Sequence, residues 1–271
     1  MTTHEGIAWA EAIITYTVHL RAIGRRPETV ALRRAQLMRL ARDLPAATPG
    51  QVSIGGVEAW LAARTWSTST RRGHVAALKG LFTWLEREGH VEHNVLAALT
   101  VSGVVRPNPR PVPETGYRFA LQVADERDRL MVRLAGEAGL RRGEVARVRR
   151  DDVVEDLLGW SLLVHGKGGK ERTVPLKDDL AHELLARPGG FIFPGLIDGH
   201  LSSAYVAKRV KRLLPEGYTM HKLRHRFGSK AYAVSGDLAA VQDLLGHESP
   251  VTTRIYVKVP DAPKRAIVNA V

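Results

Sequence analysis

Apolar residues recur at helical spacing through the first hundred residues of the chain. This pattern predicts helices over residues 6–24, 26–44, 53–65 and 67–90. In the last of these helices, four apolar residues follow one another at intervals of three, four and three and form one stripe: Val75, Leu78, Phe82 and Leu85. Pro27 suits the first turn of its helix and Ser53 suits an N-cap, so the sequence also marks where these two helices begin.

A run of alternating prolines separates these helices from the rest of the chain. Residues 100–114 read TVSGVVRPNPRPVPE, with proline at every second position from 107 to 113. Proline lacks the amide hydrogen that a helix needs and favours an extended backbone. We therefore expect a helical domain over residues 1–99, a linker over 100–113 and a second domain over 114–271.

Beyond the linker the pattern mixes helices with two short strands. A helix, a turn at Gly139 and a second helix are predicted within residues 126–148. Two strands, Trp160–Val164 and Arg172–Leu176, flank a glycine-rich turn. Helical spacing returns over residues 202–214, 219–234 and 237–245, with a last helix-like run over 251–257. The expected fold class is mainly α with a small antiparallel β-sheet, in two domains.

The predicted helix 219–234 has an unusual number of basic groups. Its apolar stripe consists of Leu223, Phe227, Ala231 and Val234. His221 and Arg224 are three residues apart, so they lie together on one flank of that stripe and not on its far side. We therefore expect these two side chains to be fixed and partly desolvated.

The amino-acid composition indicates which class of partner the protein binds and which kinds of site it lacks. The chain has 271 residues, of which 44% are hydrophobic and 25% charged, and its formal net charge is +12. Such an excess of positive charge attracts polyanions, and nucleic acid is the usual one. The absence of cysteine excludes disulfides, thiolate metal sites and cysteine nucleophiles. No signal peptide, lipidation signal or long apolar run is visible, so we expect a cytoplasmic protein with no membrane association.

Three interpretations fit His221 and Arg224. The first is a solvated basic face. The second is a metal site, because His221 and His225 have the spacing of a helical ligand pair; Lys222 occupies the place where the zinc-hydrolase motif needs glutamate, so no metal is expected. The third is a phosphate clamp, because guanidinium matches phosphate oxygens and imidazole can move a proton. This segment alone leaves the choice open.

Four other positions in the second domain carry groups that suit a phosphodiester. Arg141 starts a helix, and Glu144 could hold it by a charge-assisted bond or merely complement the helix start. Lys167 lies in a glycine-rich hairpin that lacks the Ser or Thr of a nucleotide-binding loop. His247 follows a predicted helix end, and Tyr256 lies among apolar residues. Taken singly, each suits an ordinary surface or structural residue.

In this order and with their local context, these residues resemble the tyrosine recombinase (phage integrase) family. The motifs are AGLRRGEVARV, VHGKGGKERTVPL, HKLRHRFGS and LLGHESPVTTRIY, and they contain Arg141, Lys167, His221, Arg224, His247 and Tyr256. The likeness extends to the N-terminal helices, which resemble the core-binding domain of that family. It is a likeness to the compact form without an arm-binding domain.

The resemblance implies covalent strand transfer in DNA. Tyr256 would attack a phosphodiester and form a 3′-phosphotyrosyl link, while Arg141 and Arg224 would hold the non-bridging oxygens. Lys167 would protonate the leaving 5′ oxygen, His221 would act as base and His247 would hydrogen-bond the phosphate. The reaction would need no metal or other cofactor, because the covalent link conserves the bond energy.

The resemblance also implies partners. Double-stranded DNA would be the substrate, bound by a homotetramer on two recombination sites, with a directionality factor as a further possible partner. Arg71, Arg72 and Lys79 on the predicted helix 67–90 are the candidates for DNA binding in the first domain. The protein would then act in the bacterial cytoplasm, on the nucleoid.

The biological role has several candidates. The first is integration or excision of a phage or mobile element, and the second is Xer-like resolution of replicon dimers. A type IB topoisomerase would use related chemistry without a partner site. A non-catalytic DNA-binding module would have lost a catalytic group, and none of the six is missing here.

Overall fold

A computed structural model describes residues 7–44, 46–103, 110–166 and 169–246. The chain forms two compact units, Met1–Val105 and Arg106–Val271. The described residues are mainly helical with a small antiparallel sheet, which confirms the expected fold class. None of the described helices combines the length and the hydrophobicity needed to span a bilayer.

The first unit contains the helices that the sequence predicts. They are α1 (Trp9–Ala22), α2 (Pro27–Asp43), α3 (Ile54–Ala62) and α4 (Thr68–Arg87), with a short 3-10 helix at Pro49–Gln51. Pro27 occupies the first turn of α2, and the Ser53 hydroxyl accepts a hydrogen bond from the Gly56 amide at the start of α3. Both predicted helix starts are therefore confirmed.

The core of the first unit forms around α4. All four residues of its predicted apolar stripe are buried. Tyr16 of α1 approaches α4 at Gly80 so closely that a Cβ atom there would lie 2.5 Å from the tyrosine hydroxyl. Gly80 therefore lets a buried aromatic ring pack directly against the α4 backbone.

The second unit combines several helices with a three-stranded sheet. Its helices are α5 (Glu114–Val123), α6 (Glu126–Glu137), α7 (Arg142–Ala146), α8 (Asp178–Leu185), α9 (Ser203–Leu213), α10 (Met220–Ser235) and α11 (Leu238–Leu245). Its strands are β1 (Val153–Asp156), β2 (Gly159–His165), β3 (Glu171–Leu176) and the separate short β4 (Pro194–Ile197), with a 3-10 helix at Arg150–Asp152. The sheet order is β1-β2-β3, antiparallel throughout.

Sequence reasoning missed α5, α8, β1 and β4. β1 has only four residues and buries only Val153, so it shows no apolar alternation. It pairs with β2 in the register Val153 to Leu162, and this long-range pairing defines the strand. The predicted helix-like run over residues 251–257 lies outside the described residues.

The buried stripe predicted on α10 is wrong at its last position. Leu223 is buried in the main core, and Phe227 and Ala231 pack against α11. Val234 is 90% exposed and is not among the α10 residues that pack against α11. The helix then ends at Gly236, which has a left-handed backbone conformation.

The predicted turn at Gly139 joins α6 to α7 and lies against α10. Its φ of +67° is in the left-handed region, where glycine has no steric cost. A Cβ atom there would lie 2.4 Å from the Phe227 ring. Both the backbone and the packing therefore require glycine just before the segment that carries Arg141.

Candidate active site

Three of the predicted catalytic residues line one cavity. Arg141 is the N-cap residue of α7, while His221 and Arg224 lie on the first turns of α10. All three line a cavity of about 680 Å³. Its wall also includes Arg142, Lys208, Lys211, Thr219 and other residues of α9 and α10. The cavity therefore has a strongly positive lining that suits an anion.

Lys167, His247 and Tyr256 lie outside the described residues. The described base of the hairpin that contains Lys167 is held by His165, whose imidazole nitrogens lie 3.0 Å from an Asp152 oxygen and 2.9 Å from a Glu171 oxygen. The hydrogen bond with Asp152 is the main cause that raises the pKa of His165, and the charge of Asp152 and the interactions with Glu171 raise it further. Together they outweigh partial desolvation, which lowers this pKa.

Glu144 anchors Arg141. The Arg141 Nη1 atom donates to Glu144 Oε1 at 2.8 Å, and the Arg141 backbone amide donates to Oε2 at 2.8 Å. The carboxylate thus holds both the side chain and the start of α7, so it fulfils the two roles that the sequence left as alternatives.

Arg172 is a second ligand of the same carboxylate, and sequence reasoning missed it. Its Nη1 and Nη2 atoms donate to the two Glu144 oxygens at 2.9 Å each. Its Nε atom donates to the carbonyl oxygen of Leu244 at 3.0 Å. The available signal was strand alternation, since Arg172 is two residues from the fully buried Val174 and shares its face of β3.

The arginines keep Glu144 ionised although it is buried. Burial alone would raise the pKa of this carboxyl group. Hydrogen bonds and charge from Arg172, together with hydrogen bonds from Arg141, outweigh that effect and lower the pKa to about 2. Arg224 adds a third positive charge, with its Nη1 atom 3.9 Å from Glu144 Oε2.

Arg224 is the most deeply buried of the predicted catalytic residues that the structure describes. Only 1% of it is exposed. Its guanidinium group donates to the carbonyl oxygens of Gly139 and Leu245. The solvated-face interpretation of this segment is therefore wrong for Arg224, which is buried and lines the cavity.

The end of α11 rests on three arginines. The carbonyl oxygens of residues 244, 245 and 246 accept hydrogen bonds from Arg172, Arg224 and Arg141 respectively. Carbonyl groups at a helix C-terminus carry partial negative charge, so cations stabilise this end of the helix. His247 follows Gly246 in sequence. These hydrogen bonds therefore fix the backbone immediately before this predicted catalytic residue.

His221 lies at the exposed wall of the cavity. Although the residue as a whole is exposed, loss of hydration around its imidazole lowers its pKa. The positive charges of Arg224 and Lys222, and then Arg141 and Arg142, lower this pKa further. The direction of this shift favours the neutral imidazole, the form that can accept a proton.

Two further basic residues of the α10 segment are structural. Arg226 is buried, donates to Glu114 Oε2 at 2.7 Å and stacks on the Tyr117 ring with its Cζ atom 3.7 Å from the ring centre. His225 is also buried, with its ring centre 4.9 Å from that of His221. These groups hold α10 in place from the side of the core.

The DNA-binding candidates of the first unit differ in exposure. Arg71 is half-buried and donates to the carbonyl oxygen of Arg64 at 2.6 Å, so it ties the start of α4 to the end of α3. Lys79 is also half-buried and donates to the Leu99 carbonyl at 3.3 Å. Arg72 is exposed, with one nitrogen 3.0 Å from the Gly103 carbonyl. Arg72 is thus the most accessible of the three.

Comparison with known proteins identifies the family. A family model described as the phage integrase family matches residues 115–262, more than half of the chain. The tyrosine recombinase XerC of Chromobacterium violaceum is 32% identical over 268 residues, covering 91% of this chain and 89% of its own length. The tyrosine recombinase XerC of Rhodospirillum centenum is 33% identical over 236 residues, covering 78% of this chain and 69% of its own length.

A solved structure shows the same fold. A lambda integrase tetramer bound to a Holliday junction aligns with a TM-score of 0.74 and 22% sequence identity, covering 92% of this chain and 80% of its own chain. These matches agree with the resemblance carried by the ordered arginine, lysine, histidine and tyrosine motifs. The chain therefore belongs to the phage integrase family and is a tyrosine site-specific recombinase.

Proposed function

We propose that the cavity lined by Arg141, His221 and Arg224 binds the scissile phosphodiester of duplex DNA. The observation that carries this proposal is the meeting of Arg141 from the start of α7 with His221 and Arg224 from α10 at one positive cavity. Two guanidinium groups on a common carboxylate are preorganised donors for the charge that develops on the non-bridging oxygens. Loss of one such donor typically costs about 100-fold or more in rate.

The covalent step follows from the groups available. The Tyr256 oxygen attacks phosphorus and forms the 3′-phosphotyrosyl bond while the bond to the 5′ oxygen breaks. His221 accepts the phenol proton, and the direction of its pKa shift supports this role because it favours the neutral imidazole. Lys167 gives a proton to the leaving 5′ oxygen, and His247 hydrogen-bonds the phosphate. Attack by the 5′ hydroxyl of a second strand reverses these transfers and joins the DNA.

The two domains and the assembly of the protein on DNA complete this proposal. Residues 1–99 form the core-binding domain, 100–113 the linker and 114–271 the catalytic domain, and both domains contact double-stranded DNA. Four copies act on two recombination sites in the bacterial cytoplasm, on the nucleoid; the lambda integrase tetramer on a Holliday junction supports this assembly by its fold alone. A directionality factor would select between integration and excision.

The biological role is integration or excision of a phage or mobile element. A second candidate, Xer-like resolution of replicon dimers, is supported by the relatives named XerC. The location of the recombination site separates the two roles. A site shared by a mobile element and its host supports integration, whereas one site on each replicon supports resolution.

Covalent capture tests the reaction and finds the site. Purified protein is incubated with fragmented DNA from its own genome and host, the reaction is stopped with SDS, and the protein-bound DNA is sequenced. We expect adducts at one short site, joined through the 3′ phosphate and absent from Tyr256→Phe. Adducts that persist in Tyr256→Phe, or no adducts with the unmodified chain, would overturn the proposed function.

A second reaction separates recombination from related activities. Two DNA fragments that carry the captured site are incubated with the protein, and recombinant products are measured. Exchange between the fragments supports a recombinase. Capture scattered over all sequences, with relaxation of a supercoiled plasmid that lacks the site, would indicate a type IB topoisomerase instead.

A further inference from the structure

Arg172 occupies a junction between three segments of the second unit. It lies on β3, at the base of the hairpin whose turn contains Lys167 in sequence. Its guanidinium group reaches Glu144 on α7 and the carbonyl oxygen of Leu244 at the end of α11. Each of these three segments leads directly to a proposed catalytic residue.

The donors of Arg172 are directed into the protein. Its Nε, Nη1 and Nη2 atoms each donate to a protein oxygen at 2.9 to 3.0 Å. Only 12% of its side chain is exposed, and it is not among the residues that line the cavity. Arg172 is therefore placed to hold other groups and not to bind the phosphate itself.

Close packing fixes the position of its side chain. A Cβ atom on Gly246 would lie 2.9 Å from the Cδ atom of Arg172 and 3.2 Å from its Nε atom. The backbone at the end of α11 therefore lies directly against the stem of Arg172. A shift of this side chain would move the carbonyl groups that also accept from Arg141 and Arg224.

We propose that Arg172 is a positioning residue for the recombination reaction. By donating to both oxygens of Glu144 and holding the end of α11, it sets the orientation in which Arg141 presents its remaining donors to the phosphate. This inference rests on the proposed function of the cavity, and it adds a residue on the hairpin strand that acts through another arginine.

The physical consequence of losing Arg172 follows from the shared carboxylate. Glu144 would stay buried with fewer donors, and it would attract the Arg141 guanidinium group more strongly. A misplacement of about 1 Å in a catalytic group can cost about 100-fold in rate. The charge of the cavity wall would change little, so DNA affinity would change less than the rate of cleavage.

The test compares Arg172→Gln and Arg172→Lys with a matched control, Arg133→Gln. Arg133 also has a side chain that is 12% exposed and pairs with Glu137 and Glu183, but it lies outside the cavity. The DNA is the captured site, made with a normal scissile phosphate or with a methylphosphonate, in which a methyl group replaces one charged non-bridging oxygen. The rate of adduct formation and the DNA affinity are measured for each variant.

We expect Arg172→Gln to slow adduct formation on the normal phosphate by roughly 10- to 100-fold with little change in affinity. On methylphosphonate DNA the ratio of the Arg172→Gln rate to the rate of the unmodified protein should approach one. The guanidinium groups of Arg141 and Arg224 then have less negative charge on the phosphorus oxygens to stabilise. Arg172→Lys keeps the charge without the two-point contact and should show a smaller defect of the same kind. An equal defect on both substrates, as from a purely structural loss, would overturn the proposal.

Hydrogen exchange provides a readout that needs no DNA. Amides in the peptide covering residues 238–246 should exchange faster in the Arg172 variants than in the unmodified protein or in Arg133→Gln. Unchanged exchange would contradict the proposal even if the reaction is as described above. Faster exchange in a protein that forms no adduct would uphold the contact network and refute only the proposed function. If Arg172→Gln does not fold, Arg172→Lys decides both measurements.

Discussion

A single carboxylate organises the basic groups of the cavity. Glu144 accepts hydrogen bonds from the Arg172 guanidinium group at both oxygens, from the Arg141 guanidinium group at Oε1 and from the Arg141 backbone amide at Oε2. A buried carboxylate without such partners would be costly, and so would several clustered arginines without a counter-charge. The ion cluster is therefore stable only as a whole, which makes its members strongly coupled.

The ionisation of Glu144 predicts a pH dependence of stability. Its pKa is about 2 in the folded protein against a reference of 4.5, so its contribution is complete above pH 4.5 and is lost as the pH falls through the folded value. The contribution is on the order of 3 kcal/mol. We expect Glu144→Gln to lower the free energy of unfolding at pH 7, and the difference from the unmodified protein to shrink as the pH falls from about 4.5 to about 2.

Urea unfolding at several pH values measures this difference. Circular dichroism would follow the second unit, and the gap between the two proteins is compared at each pH. A gap that stays constant over the acidic range would show that Glu144 does not stabilise the fold through its charge. The same variant should also slow adduct formation, because Arg141 would lose its anchor.

At the scale of elements, the C-terminal ends of α10 and α11 have the same backbone conformation in different surroundings. Both helices stop at a glycine in the left-handed conformation, Gly246 with φ of +60° and Gly236 with φ of +66°. They differ in their surroundings. A Cβ atom on Gly246 would meet Arg172, whereas a Cβ atom on Gly236 would meet nothing within 4 Å.

This contrast predicts different effects of the same substitution. Gly236→Ala should cost about 1 kcal/mol of stability through backbone strain and leave adduct formation unchanged. Gly246→Ala should cost more, because the new methyl group must displace the Arg172 side chain, and it should also slow adduct formation. Thermal unfolding and the capture assay measure the two effects. Equal losses of activity in the two variants would refute the special role of the α11 end.

At the scale of the whole molecule, the net charge of +12 predicts a strong electrostatic attraction to DNA. Binding to duplex DNA releases condensed counterions, so affinity should fall steeply with salt. Contacts to about 6–10 phosphates would lower the affinity by about 10³- to 10⁵-fold between 50 and 200 mM salt. This term is independent of sequence and adds to the recognition of a specific site.

A substitution of Arg72 tests whether α4 contributes to this electrostatic attraction to DNA. If its exposed guanidinium group contacts a phosphate, Arg72→Ala should reduce the slope of log affinity against log salt by about one. Arg87→Ala is a control on the same helix, since Arg87 is exposed and pairs with Glu88 at 2.7 Å. Fluorescence anisotropy with a short mixed-sequence duplex gives both slopes. Equal slopes for Arg72→Ala and the unmodified protein would remove Arg72 from the DNA-binding surface.

Local patterns in the sequence determined much of the fold. The helical spacing, Pro27, Ser53 and the glycine-rich turn predicted the helices of the first unit and the β2–β3 hairpin, because these signals act over a few residues. The ordered motifs likewise determined the family. Short or one-sided elements such as β1 were missed, since long-range pairing and not local pattern defines them.

Only the tertiary structure decided how the basic residues divide their roles. From the sequence, Arg72, Arg172 and Arg226 are equally charged side chains, yet the fold leaves the first exposed, joins the second to Glu144 and stacks the third on Tyr117. The residue types and their spacing in the sequence determine which charged groups are present and on which helix or strand they lie. Burial and partners from distant segments determine whether each positive charge faces DNA or holds the site together, because the cost of a buried charge depends on what surrounds it.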